Sequence, residues 1–151
     1  MIKRRDLLVA GIAICATLAA VALAKADKAL MPSSAFDWNA TTAVPQKYGS
    51  KRQVFQSPTA TLDELECHIT TLNPGESPHP AHKHPEEEMM IVKEGTIETL
   101  VNGELRRLGP GSVIFQASNQ LHSIRNVGQT PATYHVIKWV SPGMSKTKSE
   151  D

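Results

Sequence analysis

The sequence is poor in cysteine, in aromatic rings and in net charge. Two cysteines stand among 151 residues. Cys15 lies in an N-terminal apolar run that reads as removable, which leaves Cys67 with no internal disulfide partner. Its expected role is that of a small buried residue, and the fold must be held by its core. Only two tryptophans, two tyrosines and three phenylalanines occur, so Phe36 and Trp38 are the large anchors of the first third of the mature chain. Sixteen basic and 15 acidic residues give a formal charge of +1. Such a balance excludes the electrostatic footprint of a nucleic-acid or anionic-membrane binder. There is no internal repeat, no low-complexity tract and no long helical period.

One long apolar run is present, at the very start. Lys3, Arg4 and Arg5 precede a stretch from Leu7 to about Ala24 of mostly Ala, Leu, Val and Ile, closing on Ala22-Leu23-Ala24-Lys25-Ala26. A charged start, an apolar middle and A-x-A exits read as a secretory signal peptide over residues 1–26. Arg4-Arg5-Asp6-Leu7-Leu8 resembles the twin-arginine export signature, with Lys3 where a polar residue is usual. An exported, periplasmic protein follows, without stable membrane association once the signal is removed. A retained N-terminal anchor facing the periplasm is the alternative, since the apolar run is just long enough to span a bilayer. Removing residues 1–24 takes Lys3, Arg4, Arg5 and Asp6 from the 16 basic and 15 acidic residues and leaves a formal charge of −1.

Residues 27–50 read as a linker and arm that packs Trp38 on the domain, with room for an edge strand. From there to residue 142 the chain alternates short β-prone runs with turn residues. The runs are Arg52–Gln56, Leu65–Leu72, Met89–Lys93, Thr96–Val101, Glu104–Leu108, Val113–Gln116, Leu121–Asn126 and Ala132–Val140. Asn102-Gly103 between two of them is a strong two-residue hairpin signal. About eight short strands at this spacing predict an all-β sandwich or barrel. A single helical turn is expected over Thr61–Glu66, and residues 143–151 read as a disordered tail.

The chemistry concentrates in Gly75–Gly95, GESPHPAHKHPEEEMMIVKEG, which holds three of the six histidines. His82 and His84 are two apart and leave an extended strand by one face. Pro85 biases His84 towards extended geometry. Glu88, four further on, keeps that face if the strand is regular, and parity allows Glu86 as well. Two imidazoles and a carboxylate on one face suit a divalent metal.

With His122 and Asn126 downstream, the pattern resembles that of the cupins, jelly-roll β-barrels marked by two motifs. Gly75, His82, His84, Glu88 and Gly95 match the first, and Gly103, Gly111, His122 and Asn126 the second. Gly75 stands one residue further from His82 than usual, and Pro110, Ser112 and Ala117 depart from the common turn residues. The resemblance implies a single jelly-roll barrel over residues 51–142 and the ligand set His82, His84, Glu88 and His122. The step from Glu88 to Gly95 selects Glu88 among the three glutamates. Three imidazoles and one carboxylate leave a divalent ion at net +1, and six-coordination leaves two positions open. Fe or Mn is favoured by the resemblance, with Ni, Cu and Zn compatible with the donors. It further implies a small-molecule substrate or ligand, no nucleic acid, and a homodimer.

A dioxygenase-like oxidoreductase is the leading functional expectation. A metal-dependent lyase or isomerase and a non-catalytic sugar- or carboxylate-binding module are the alternatives. No catalytic residue is assigned. His79, between Pro78 and Pro80, is expected at the rim, where a proton shuttle is conceivable. His68 and His135 read as structural, although a polar lining would bring Glu66 and His68 near the metal. Gln116 and Ser118 are candidates for hydrogen bonds in the pocket, Asn126 for pinning a turn, and Arg125 for solvent.

Overall fold

The computed structural model describes residues 29–144. The signal peptide expected over residues 1–26 and most of the expected tail lie outside the described residues. Nine strands form: β1 (Val44–Gln46), β2 (Gly49–Ser57), β3 (Glu64–Leu72), β4 (Glu87–Glu94), β5 (Ile97–Val101), β6 (Glu104–Leu108), β7 (Val113–Gln116), β8 (Ser123–Asn126) and β9 (Ala132–Val140). They make two antiparallel sheets, one ordered β1-β2-β3-β9-β4-β7 and the other β6-β5-β8. This is the all-β architecture expected from the spacing of short apolar runs, in the two-sheet jelly-roll form that the resemblance implied. Among the described residues no helix is long and apolar enough to cross a membrane.

Two turns carry the topology. Asn102 and Gly103 both take positive φ, 51° and 80°, and close the β5–β6 hairpin with Val101 opposite Glu104, as a mirror-image two-residue turn requires. Gly95, at φ 84°, passes the chain from the larger sheet to the smaller directly over β9. A Cβ on it would lie 2.5 Å from the Ala132 Cα, so only glycine fits.

Side chains alternate in and out along each strand. Leu72, Met90, Val92, Ile97, Ile114, Ile124, Ala132, Tyr134 and Val136 meet between the sheets as the buried core, the larger aliphatic side chains each worth about 1.5–3 kcal/mol of burial. Cross-strand partners line up in rows. Gln56, Glu66, Lys138, Glu88 and Gln116 are successive partners across five strands. A parallel row deeper in the barrel runs through Thr70, Tyr134 and Val92. The inner wall therefore grades from polar at one end to apolar at the other.

The structure departs from expectation in two places. No helical turn forms at Thr61–Glu66. Thr59 closes a tight turn by its Leu62 contacts, and Glu64 and Leu65 are already extended because they pair with Val140 and Trp139. The edge strand for which the arm left room does form, since Val44–Gln46 pairs with Gly49–Lys51. Cys67 is only half-buried, because its side of β3 faces away from the core. The arm does pack Trp38, whose ring lies 3.7 Å from the Lys93 ammonium and 4.8 Å from the Arg52 guanidinium, a cation–π arrangement.

Asn126 is fully buried. Its amide donates to Leu72 O and Thr130 O, and its Oδ1 accepts from Gly128 N, tying β3 to the β8–β9 turn. Asn126→Ala removes three hydrogen bonds to backbone groups, one of them fully buried, and is expected to cost about 2–4 kcal/mol, read from denaturant titrations.

Candidate metal centre

Two segments forty residues apart meet at the polar end of the barrel. His82 and His122 form an isolated antiparallel bridge in which each backbone N–H donates to the other's carbonyl, at 3.0 and 2.9 Å. Asn119 N donates to His84 O at 2.8 Å, from a turn in which Asn119 itself sits at φ 57°. The histidine segment is thus fastened to the turn before β8. The ring centroids of His82, His84 and His122 lie 4.5–5.2 Å apart. One nitrogen from each falls within 4.8 Å of the other two.

Backbone carbonyls set two of the tautomers. His84 Nδ1 is 3.0 Å from Glu86 O, and His122 Nδ1 is 2.8 Å from Gln120 O. A carbonyl only accepts, so Nδ1 carries the proton in both rings and Nε2 keeps its lone pair. His122 Nε2 and His82 Nδ1 are buried without any hydrogen-bond partner. Buried polar atoms are rarely left so. Converging lone pairs with no proton donor near them are what a cation fills, and this orientation of ligand histidines by carbonyls is the usual support of a metal site. The three histidines fit a metal ion.

The three consecutive glutamates part company. Strand β4 begins only at Glu87, after a bend at Pro85 and Glu86, so the regular strand assumed from His82 to Glu88 is broken. Glu86 lies behind His84, 3.3 Å from Nδ1. Glu87 accepts from Trp139 Nε1 on the outer face at 3.0 Å. Glu88 points inward, its Oε2 3.9 Å from His84 Nε2. Parity alone left Glu86 and Glu88 open, and its premise of one regular strand fails; the residue selected by the step to Gly95, Glu88, is the one that faces the histidines.

Burial, reinforced by His79, His122 and His84, holds the His82 imidazole down at about 4, and burial also lowers His84. Burial raises Glu88, opposed by Lys138 and His68. Next in the row, Glu66 is drawn down to about 2 by the hydrogen bond from His68 Nδ1 at 2.9 Å, with Lys138 and Lys51 adding to it. His82, His84, Glu88, His68, Lys51 and Lys138 border a cavity of about 200 Å³ that also takes in Tyr48, His79 and Tyr134, with Glu66 behind its wall. A wider outer recess of about 570 Å³ shares Tyr48, Pro78 and His79 with it.

His79 is at the rim as expected, exposed and edge-on to His82 with centroids 4.0 Å apart. His68 lines the cavity beside Glu66, so the polar face of β3 is the inner one. His135 lies on the other face of β9, opposite Ile69. Gln116 is buried and donates to Thr99 Oγ1. Ser118 instead borders a surface groove by Trp139. Arg125 is exposed yet donates from Nε to Gly75 O. Sequence reasoning missed Lys51, Lys138, Tyr48 and Tyr134. The signal for two of them was available: Tyr134 and Lys138 fall on the even positions of β9 with Ala132 and Val136, and a lysine in an apolar alternation is out of place.

Residues 68–138 match the family model described as the cupin domain. Similar solved structures include the Cnp3 cupin domain of Schizosaccharomyces pombe, 14% identical over 71% of this chain and 74% of that one, TM-score 0.60. The polyketide cyclase RemF of Streptomyces resistomycificus is 20% identical over 80% and 89%, TM-score 0.59. A predicted oxalate decarboxylase of Thermotoga maritima is 20% identical over 71% and 99%, TM-score 0.57. At such identities these structures speak for the fold. No curated protein matches the chain.

A depressed imidazole means that the unfolded chain takes up protons the folded one refuses. With His82 at about 4 in the fold against 6.5 unfolded, metal-free protein loses stability as pH falls from about 6.5 towards 4. The slope of melting temperature against pH over that window should flatten in His82→Gln; an unchanged slope would refute the assignment.

Proposed function

We propose that this barrel of the cupin superfamily is a mononuclear metal-dependent enzyme acting on a small molecule. The observation that carries the reading is the pair of buried, partnerless nitrogens, His82 Nδ1 and His122 Nε2, inside a cavity that reaches the surface past His79. His82, His84, His122 and Glu88 would hold one divalent transition ion, Fe or Mn before Ni, Cu or Zn by family likeness. Such an ion supplies Lewis acidity and, where redox-active, electron exchange. The chain's own contribution is orientation and charge. Glu86 and Gln120 carbonyls hold two rings turned inward. Met90, Ile124 and Val136 keep the cavity floor dry. His68, engaged at Nδ1 by Glu66, has Nε2 left to exchange a proton with a bound molecule.

A dioxygenase-like oxidation is the reading carried over from the resemblance. The buried Glu66–His68 pair beside the cavity favours a second, non-redox reading, in which proton transfer beside a Lewis acid gives a lyase or isomerase. Solved relatives described as a polyketide cyclase and a predicted oxalate decarboxylase support small-molecule chemistry in this fold. Capture without turnover is the remaining outcome. A homodimer is the assembly the family likeness suggests, to be read from light scattering. Export to the periplasm rests on the sequence of the first 26 residues.

Protein purified from its native host is expected to carry about one divalent metal per chain by elemental analysis. His82→Ala with His84→Ala should abolish it; stoichiometric metal in that variant would sink the ligand assignment. Oxygen uptake with catechols, flavonols or diketones separates the oxidative reading from the others, and turnover that survives removal of oxygen points to the lyase or isomerase.

The export proposal has its own test. Arg4→Lys with Arg5→Lys should trap precursor in the cytoplasm, whereas normal export would indicate the general secretory route.

A further inference from the structure

Lys51 on β2 and Lys138 on β9 reach the cavity wall from the two strands that flank β3, on either side of Glu66. Glu66 is buried, and its two oxygens each lie 3.5 Å from one of the ammonium groups. That separation exceeds the 2.7–2.9 Å of a well-made charge-assisted bond. The close contact of Glu66 goes to His68, at 2.9 Å. Glu66 therefore holds the lysines in place and leaves most of their donor capacity unspent. Each ammonium has three donors, and Glu66 is the one side-chain acceptor found for either lysine among the described residues.

Lys138 is also the cross-strand partner of Glu88, which sets it beside the histidine cluster. Within the wall, Lys51 and Lys138 balance Glu66 and Glu88. A divalent ion on the histidines would add two positive charges to an enclosed space, and enclosed charge requires a counter-charge.

We infer that Lys51 and Lys138 form an anion clamp and that the substrate class is a small carboxylate of charge up to −2, bound with one end at the histidine cluster and the other between the lysines. The inference rests on the metal-dependent reading above for the first end and on the lysines alone for the second. Size agrees. A cavity of about 200 Å³ equals about seven waters at roughly 30 Å³ each, the scale of a three- or four-carbon diacid.

The test uses malonate as probe, titrated calorimetrically into the mature chain, metal-free and loaded with Zn(II). Zinc should tighten malonate binding at least tenfold. Lys138→Met and Lys51→Met should each weaken it by about tenfold to a hundredfold, the worth of a charge-assisted bond. Bound zinc should stay at the wild-type level, Lys138→Arg should retain most of the affinity, and neutral malonamide should not compete. Affinity within twofold of wild type in both methionine variants, or competition by malonamide at equal concentration, overturns the clamp. If zinc fails to bind but lysine-dependent malonate binding persists, the clamp stands and the metal reading falls. If zinc binds and malonate does not, the reverse holds.

Discussion

The site depends on one reciprocal pair of backbone hydrogen bonds, between His82 and His122. Each residue contributes both an N–H and a carbonyl, so neither can shift along the chain without breaking two bonds at once. The pair joins the loop before β4 to the turn before β8, and each of those loops continues into a strand of a different sheet. Sheet geometry is thereby converted into ring geometry. The imidazoles cannot spread apart unless the barrel opens, and the neighbouring Glu86 and Gln120 carbonyls fix which nitrogen each presents. A cluster of three neutral imidazoles with inward lone pairs gains little by itself. It exists because the bridge, two carbonyls and the bend at Pro85 together overdetermine it.

Around that bridge the barrel is polar at one end and apolar at the other. The row Gln56, Glu66, Lys138, Glu88, Gln116 crosses five strands, and from Glu66 to Gln116 its members face inward by the two-residue period of a strand, while Gln56 lies beyond the β2 bulge at the exposed edge. Four residues deeper along the same strands the row is Thr70, Tyr134 and Val92, and beyond it Leu72 meets Ala132. The apolar rows supply the cohesion, since Cys67, the one cysteine among the described residues, is free. The polar row is tolerated because its charges alternate in sign and face a cavity instead of packed hydrocarbon. Function and stability thus occupy successive levels of one sheet.

Much of this was legible in the sequence because its period is short. Strands such as Ala132–Val140 and Val113–Gln116 appear where alternation and turn residues place them, and Asn102-Gly103 announces its own hairpin. The histidines were legible for the same reason, as two residues a strand period apart. Other features depend on partners distant in sequence. Glu64 is extended, where the local sequence allowed a helical turn, only because Val140 at the far end of the domain lies beside it. The lysines were passed over because a lysine is ordinarily solvated; that Lys138 faces inward follows from the alternation of β9, but that Glu66 and Glu88 flank it follows from strand order, which no local pattern states.

The bond from Trp139 to Glu87 has a consequence beyond its own energy. Three identical side chains in succession, Glu86, Glu87 and Glu88, offer the folding chain no internal mark by which to tell them apart, and a slip of one residue would turn every side chain of β4 to the opposite face. Methionine at 89 and 90 makes the ambiguity worse, since either fits an interior. The indole N–H on the outer face donates to whichever glutamate reaches it there, here Glu87. In information terms, the run is a degenerate message; the buried Val92 and exposed Lys93 that follow supply the reading frame, and the indole bond marks where it falls.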